Sequence, residues 1–143
     1  MRIIIVGAGA VGSYLAERLS QDGKDVVVVE DNPGIAADLQ DSIDALVIQG
    51  NGASAVTLEE AGADKADLLI AVTSSDGANV LACHAAKDLG AKMTIARIED
   101  PEIREGSTQL GVDVVIDRAA AAAERLVDLA GLGGASEDLP FDH

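Results

Sequence analysis

Short, almost continuous apolar runs alternate along the chain with stretches in which apolar residues recur every three or four positions. Runs of this length are typical of strands covered on both faces of a parallel sheet. The spacing in the intervening stretches is that of helices with one buried face. The pattern therefore predicts six strands, at Arg2–Val6, Val26–Val29, Ala45–Gln49, Asp67–Val72, Met93–Ile98 and Val112–Ile116.

The predicted helices carry recognisable start signals. Asn32-Pro33 combines an N-cap residue with proline at the first helical position, and Ser54 and either Ser75 or Asp76 are further cap candidates. The first helix follows a glycine loop and ends near residue 23, and the others are expected at about 33–40, 54–61, 77–89, 99–110 and 118–132. In the fourth helix the residues expected to face the core are Val80, Leu81, Ala85 and Leu89.

Alternating strands and helices predict the fold class. They give two βαβαβ halves joined by right-handed crossovers. The expected fold is therefore α/β: a doubly wound, parallel, six-stranded Rossmann sheet with strand order 3-2-1-4-5-6. At 143 residues the chain has the length of a single domain, which we assign to residues 1–132, with residues 133–143 as an acidic, disordered tail.

The first strand runs directly into Gly7-Ala-Gly9-Ala-Val-Gly12, which has the pattern G-x-G-x-x-G. In this pattern the first glycine makes a tight turn and the second lets the backbone approach a pyrophosphate. The third glycine allows the helix to pack closely on the strand. The N–H groups that begin the following helix then favour phosphate. The motif is a weak predictor by itself, and it gains weight from a surrounding βαβ unit.

The second strand ends at Glu30-Asp31, and Glu30 lies 18 positions after Gly12. An acidic residue near this spacing accepts hydrogen bonds from the ribose hydroxyls of an adenosine nucleotide. Because Glu30 and Asp31 have no arginine nearby in sequence, a 2′-phosphate is disfavoured and NADP with it. The alternative is that Glu30 is only a solvated strand end.

Two further groups follow predicted strands. Thr73 and Ser74 follow the fourth strand, which flanks the point where the strand order reverses, so they are expected to face the same ligand as Gly9. Asn51 stands between two glycines after the third strand. Its surroundings indicate either a close approach to a ligand or a simple turn, and local chemistry alone favours the turn.

Composition excludes several classes of partner. The net charge of −15 and the isoelectric point near 4.2 argue against nucleic acid and against an anionic membrane surface. Solubility and adaptation to high salt both account for this acidity. A single cysteine, Cys83, excludes an internal disulfide, and with two histidines it predicts no metal site. No apolar stretch has the length of a membrane span, so a cytoplasmic location is expected.

No catalytic residue is predicted. The sequence contains no P-loop G-K-[S/T], no H-E-x-x-H and no nucleophile elbow. Tyr14 is followed four positions later by Arg18 rather than lysine, and both lie on the first helix, away from a nicotinamide. Binding without chemistry is the favoured interpretation. The alternative is an NAD-dependent oxidoreductase or its detached cofactor-binding domain.

The segments RIIIVGAGAVGSYLA, LVIQGNGAS, EAGADKADLLIAVTSSDGANVLAC and IARI resemble the regulator-of-potassium-conductance N-terminal domain of Trk-type potassium-uptake proteins. The resemblance covers about residues 2–132, and residues 60–83 are its most specific part. It implies a domain that binds NAD(H), ATP or ADP without chemistry and regulates a Trk/Ktr-type membrane potassium transporter or channel. NAD(H) is favoured, with ATP, ADP or AMP as the alternative, because members adapted to ATP carry an arginine where this chain has Ala10.

The resemblance also implies a set of cofactor-binding residues. Asn51 would lie beside the adenine, although many members have an acidic residue there. Arg118–Leu132 would be a crossover helix that joins a homodimer or higher ring, whereas packing on its own sheet is the alternative. The protein would then lie at the inner face of the membrane through its partner, with no insertion of its own. The implied residues are Gly7, Gly9, Ala10, Val11, Gly12, Glu30, Asp31, Asn51, Thr73, Ser74, Asn79 and Arg97.

Overall fold

A computed structural model of the chain describes residues 1–117 and Ala130. Its strands are β1 (Arg2–Val6), β2 (Asp25–Glu30), β3 (Leu46–Gln49), β4 (Leu68–Ala71), β5 (Thr94–Arg97) and β6 (Val114–Ile116). Its helices are α1 (Ala10–Gln21), α2 (Pro33–Ser42), α3 (Ala55–Glu60), α4 (Asp76–Leu89) and α5 (Pro101–Ser107). Short 3-10 turns lie at Ala63–Lys65 and Thr108–Leu110.

All six strands form one parallel sheet with the order β3-β2-β1-β4-β5-β6. The predicted fold class and strand order are confirmed. β1 lies at the centre between β2 and β4, and the strand order reverses beside it. The carboxyl ends of β1 and β4 therefore meet at the topological switch point, where open sheets of this kind bind ligands.

The core has two layers, one on each face of the sheet. Ile3 and Ile5 of β1 pack with α1 on one face, whereas Ile4 and Val6 pack with α3 and α4 on the other. Each of these four side chains is at most 4% exposed. Burying one such aliphatic side chain stabilises the fold by about 1.5–3 kcal/mol. Because both faces of the central strands are covered, the interiors of β1, β2 and β4 are apolar, as the sequence pattern predicted.

One sequence prediction about the helices is wrong, and another holds only in part. Leu81 was expected to face the core, but it is 56% exposed. Successive helical residues are rotated by about 100°, so Leu81 lies almost opposite the buried Asn79. Ser54 occupies the N-cap position of α3, but its hydroxyl makes no capping bond and backbone bonds alone close the first turn. Asn32 and Ser75 do cap their helices, as predicted.

Ion pairs and a hydrogen bond from backbone to carboxylate link neighbouring residues at the amino-terminal edge of the sheet. Asp67 accepts a hydrogen bond of 2.8 Å from the Arg2 backbone N–H and contacts the Lys92 ammonium at 3.1 Å. These donors lower the pKa of Asp67 below its usual 3.8, the backbone hydrogen bond contributing most. Asp25 pairs with the Arg2 guanidinium in the same region at 2.9 Å.

The predicted crossover helix Arg118–Leu132 and the predicted tail at residues 133–143 lie outside the described residues, apart from Ala130. Ala130 is fully buried and belongs to the core layer that contains α1. The predicted domain limits therefore stay predictions.

Candidate functional site

A cleft of about 420 Å³ opens at the carboxyl-terminal edge of the sheet. It lies at the ends of β1, β2, β4 and β5 and against the start of α1. This is the switch point that the strand order defines. The lining residues are Val6, Gly7, Gly9, Ala10, Val11, Val29, Glu30, Asp31, Ile35, Asn51, Gly52, Ala53, Val72, Thr73, Ser74, Ser75, Ala78 and Arg97.

The three glycines of the loop differ in what surrounds them. Gly7 has a φ of 102°, a conformation that favours glycine, and a Cβ there would meet Thr73. A Cβ on Gly12 would overlap the carbonyl oxygen of Gly7, so only glycine lets α1 pack this closely on the loop. A Cβ on Gly9 would meet no protein atom within 4 Å, and Gly9 lines the cleft. The open space beside Gly9 is where the motif places a pyrophosphate.

Glu30 is buried at the end of β2, with 8% of its surface exposed. Its Oε1 accepts a hydrogen bond of 2.7 Å from the Ala8 N–H, and its Oε2 accepts one of 2.8 Å from the Asn32 N–H. The carboxylate thus joins the glycine loop to the loop after β2. Each carboxylate oxygen has a second lone pair, so two ribose hydroxyls can donate to Glu30 while both backbone bonds persist. Glu30 is therefore buried and hydrogen-bonded, and the alternative that it is only a solvated strand end is wrong.

Asn79 is fully buried on α4 and joins two walls of the cleft. Its Oδ1 accepts from the Thr73 N–H at 2.9 Å and from the Thr73 hydroxyl at 2.6 Å. Its Nδ2 donates to the carbonyl oxygens of Thr73 at 3.1 Å and of Arg97 at 2.8 Å. All of the hydrogen-bonding capacity of the amide is therefore used within the protein. Asn79 positions Thr73 and Arg97 and does not line the cleft.

Arg97 supplies a positive charge at the end of β5. Its guanidinium donates to the Thr73 carbonyl over 2.7 Å, which holds the side chain against the β4–α4 loop. Among the described residues that line the cleft, it is the only basic one. Its remaining N–H groups are the charged donors available to a ligand on this side.

Asn51 combines the two interpretations that the sequence left open. Its side-chain oxygen accepts a 2.9 Å hydrogen bond from the Ala53 N–H, and its carbonyl accepts from the Ser54 N–H at 3.0 Å. These contacts form a turn, as local chemistry favoured. The turn itself lines the cleft opposite Thr73 and Arg97, because β3 follows β2 in the sheet.

The structure places ten of the twelve sequence-predicted site residues around one cleft; the exceptions are Gly12, which packs against Gly7, and the buried Asn79. Ser75 and Ala78 line the cleft but were not predicted as ligand-binding residues. The sequence predicts Ser75 only as a helix cap, although its position directly after Thr73 and Ser74 is a signal that it lines the cleft. Ile35 of α2 was also missed, because nothing in its local sequence indicates that it lines the cleft.

Cys83 and Tyr14, two residues with chemically reactive side chains, lie away from the cleft. No group of three or more His, Cys, Asp or Glu residues is arranged to hold a metal ion in the part of the chain that the structure describes. Cys83 is buried in the core, and this burial raises the pKa of its thiol to about 12. The Tyr14 hydroxyl accepts from Arg18 at 3.2 Å on α1, and neither residue lines the cleft.

Within residues 1–117 and at Ala130, no helix has the length and apolar character needed to cross a membrane.

The parallel sheet, the glycine loop at its switch point and the buried carboxylate at the end of β2 define a Rossmann-type domain of the nucleotide-binding class. Within this class the chain belongs to the TrkA-N domain family, whose family model matches residues 3–118. The resemblance inferred from the sequence motifs is confirmed.

Relatives with known names and structures agree with this family. The Trk system potassium uptake protein TrkA homolog of Methanothermobacter thermautotrophicus is 39% identical over 129 residues, which cover 90% of this chain. That match covers 60% of the relative, so the chain spans less than two thirds of its length. The GsuK channel bound to NAD is similar over 80% of this chain and 21% of that one, with 26% identity and a TM-score of 0.72. The GsuK bound to ADP shows the same identity and TM-score over 81% of this chain and 31% of that one.

Proposed function

We propose that this chain is a nucleotide-binding regulatory domain or subunit of a Trk/Ktr-type potassium-uptake system, and that NAD(H) is its principal ligand. The observation that carries the proposal is the position of Glu30. Its buried carboxylate stands beside a glycine loop with open space at Gly9, at the switch point of the sheet. That arrangement suits an adenosine ribose joined to a pyrophosphate.

The lining of the cleft supports NAD(H) over ATP. A γ-phosphate gains most from a cation near the glycine loop, and the residue there is Ala10. Arg97 lies across the cleft and already donates to Thr73. Glu30 and Asp31 at the ribose end oppose a 2′-phosphate, so NADP is not expected. Similar proteins have been solved with NAD and with ADP. We keep ADP, ATP and AMP as the alternative ligands.

Regulation rather than catalysis fits the cleft. General acid–base catalysis needs a titratable group within hydrogen-bond reach of the reacting atoms. Besides Glu30 and Asp31 at the ribose end, the described lining residues include no side chain suited to that task at neutral pH. We infer that the domain binds a nucleotide without transforming it and passes the result to a partner.

The partner is a membrane-embedded potassium transporter or channel subunit, as the name of the Methanothermobacter relative suggests. We further propose that the chain forms a homodimer or larger ring through Arg118–Leu132. In that arrangement the nucleotide changes the geometry of the assembly, and the assembly acts on the transporter from the cytoplasmic side. The domain itself would extend over residues 1–132.

Potassium uptake in cells tests this function. The protein is expressed with its cognate transporter in a host that lacks its own uptake systems, and rubidium influx is measured. Wild-type protein should support regulated influx, and Glu30→Ala should change it because nucleotide binding is weakened. Glu60→Ala removes the same charge from the exposed surface of α3 and should behave as wild type. Identical influx with Glu30→Ala and wild type would count against nucleotide-dependent regulation.

A further inference from the structure

Basic residues are distributed unevenly along the strand axis. Most of those in the described chain precede strands or lie near the carboxyl ends of helices, and both positions belong to the amino-terminal edge of a parallel α/β sheet. Only Arg97 and Arg104 lie toward the opposite edge, and Arg104 donates to the Ile98 carbonyl instead of lining the cleft. The residues near the amino-terminal edge are Arg2, Arg18, Lys24, Lys65, Lys87 and Lys92.

Acidic residues at the two edges have different surroundings. At the amino-terminal edge three of them pair with cations: Asp25 with Arg2, Asp67 with Lys92 and Asp113 with Lys87. The cleft edge carries carboxylates bonded to neutral backbone N–H groups: Glu30 to Ala8 and Asn32, Asp76 to Glu99 and Asp100, and Asp100 to Glu102. A neutral donor satisfies a carboxylate but leaves its net charge in place.

The cleft edge therefore keeps an excess of negative charge, on a chain whose net charge is −15. The charged residues that line the cleft itself are two carboxylates, Glu30 and Asp31, and one guanidinium, Arg97. An approaching nucleotide is repelled in proportion to its own charge. That charge is about −4 for ATP without magnesium, about −3 for ADP and about −2 for NADH at neutral pH. The N–H groups of the glycine loop attract the diphosphate that all three ligands share, so they do not offset the additional charge of ATP.

We propose that the cleft discriminates among adenine nucleotides by their charge, and that ionic strength sets the strength of this discrimination. The inference rests on the proposed function, since it concerns the ligand of the same cleft. Salt screens charges beyond the Debye length, which is about 10 Å at 0.1 M and about 3 Å at 1 M. At low salt the cleft binds NADH more tightly than ATP, and high salt reduces this difference in affinity.

With this property the domain would respond to ionic strength as well as to nucleotide concentration. In a regulator of potassium uptake, accumulated potassium salt raises the ionic strength around the domain. The more anionic nucleotides then compete better for the cleft, with no change in their concentrations. The nucleotide that occupies the cleft thus depends both on nucleotide concentrations and on the ionic strength that potassium uptake raises.

Calorimetric titration at several salt concentrations tests the inference. NADH, ADP and magnesium-free ATP are titrated into the protein at 0.05 M and 1 M KCl. The ratio of the ATP and NADH dissociation constants should fall at least about fivefold at the higher salt, with ADP intermediate. Any salt-dependent loss of folded protein cancels in this ratio, because it weakens all ligands equally. NaCl should give the same ratios, because screening does not depend on the identity of the cation.

A matched pair of variants locates the effect at the cleft. Asp31→Asn removes a charge at the cleft, and Asp22→Asn removes one at the far end of α1. At 0.05 M KCl, Asp31→Asn should lower the ratio of the ATP and NADH dissociation constants about twofold, whereas Asp22→Asn should leave it close to wild type. At 1 M KCl the ratios of both variants should match that of the wild type.

The outcomes separate the inference from the function on which it rests. A ratio that does not change with salt would overturn charge discrimination while leaving nucleotide binding intact. A change in KCl that NaCl fails to reproduce would also overturn it, since that result requires a specific cation site. Absence of binding by every nucleotide at both salt concentrations would overturn the proposed function itself.

Discussion

Glu30 is the residue on which the two halves of the candidate site depend. It holds the glycine loop through the Ala8 N–H and the loop after β2 through the Asn32 N–H. The same carboxylate retains the lone pairs that ribose hydroxyls require. One side chain therefore shapes the cleft and supplies its most specific contact.

Replacing Glu30 with alanine should weaken NADH binding by about 1–3 kcal/mol, because hydrogen bonds to a charged group are lost. The variant should also unfold at lower urea concentration, since two backbone N–H groups lose their acceptor. Isothermal titration calorimetry measures the first effect and circular dichroism the second. Glu60→Ala serves as the control on the surface of α3. Unchanged NADH affinity in Glu30→Ala would remove this residue from the site.

Two alanine substitutions in the glycine loop should have contrasting effects, one on stability and the other on nucleotide binding. Gly12→Ala should destabilise the fold by about 3 kcal/mol or more, because the new Cβ overlaps the Gly7 carbonyl. Gly9→Ala should change stability by no more than about 1 kcal/mol, because its Cβ meets no protein atom within 4 Å. It should nevertheless weaken nucleotide binding about tenfold or more, since the methyl group occupies the space beside Gly9.

Gly106→Ala provides the matched control for both glycine variants, because its Cβ also meets nothing and it lies on α5, away from the cleft. Urea unfolding and NADH titration of the three variants separate packing from binding. Gly9→Ala with full NADH affinity would show that the pyrophosphate does not lie against the glycine loop.

Sequence reasoning found the residues whose role follows from spacing along the chain. Gly7, Gly9 and Glu30 were predicted because a turn, a loop and a strand end recur at fixed intervals in this fold. The role of Asn79 was not predictable in this way. Its partners Thr73 and Arg97 lie on different elements, and only their placement in the sheet shows that the amide is buried between them.

At the scale of elements, the apolar runs correctly predicted all six strands. They did so because helices cover both faces of the sheet, which makes the strand interiors apolar. The helix faces were harder to predict, as Leu81 shows. Residues of α4 contact both the sheet and α3, and the exact rotation of the helix depends on how the small Ala82 and Ala86 fit against β4 and β5. Local periodicity alone does not determine that rotation.

Asp67 gives the amino-terminal edge a pH-dependent contribution to stability. Because its pKa is lowered in the folded state, its stabilisation is fully present above the ordinary value of 3.8 and is lost as the pH falls through the folded pKa. Asp67→Ala should therefore lower the free energy of unfolding by about 1 kcal/mol at pH 7, and the loss should shrink below pH 4.

Urea denaturation at pH 7, 4 and 3 measures this difference. Asp38→Ala, which removes an equal charge from the exposed face of α2, should show no comparable pH dependence. An Asp67→Ala deficit that is equally large at pH 3 and pH 7 would mean that packing, and not the ionised carboxylate, stabilises this edge.

At the scale of the whole molecule, a net charge of −15 is combined with a cleft at the switch point of the sheet. The fold and family follow from the sequence with little ambiguity, because pattern, glycine loop and specific motifs agree. The position of charges relative to the cleft does not follow from composition, which gives only the total of −15. It emerges when parallel strands bring residues that precede strands to one edge and residues that follow strands to the other.

Calorimetric titration of the purified protein with NADH, NAD, ADP and ATP tests the central claim most directly. We predict that adenine nucleotides bind with dissociation constants below about 1 mM, and that NAD(H) binds most tightly at low salt. The heat should be absent with NADPH, whose 2′-phosphate would meet Glu30 and Asp31. Failure of all four nucleotides to bind below the millimolar range would contradict the assignment of this cleft as a nucleotide sensor.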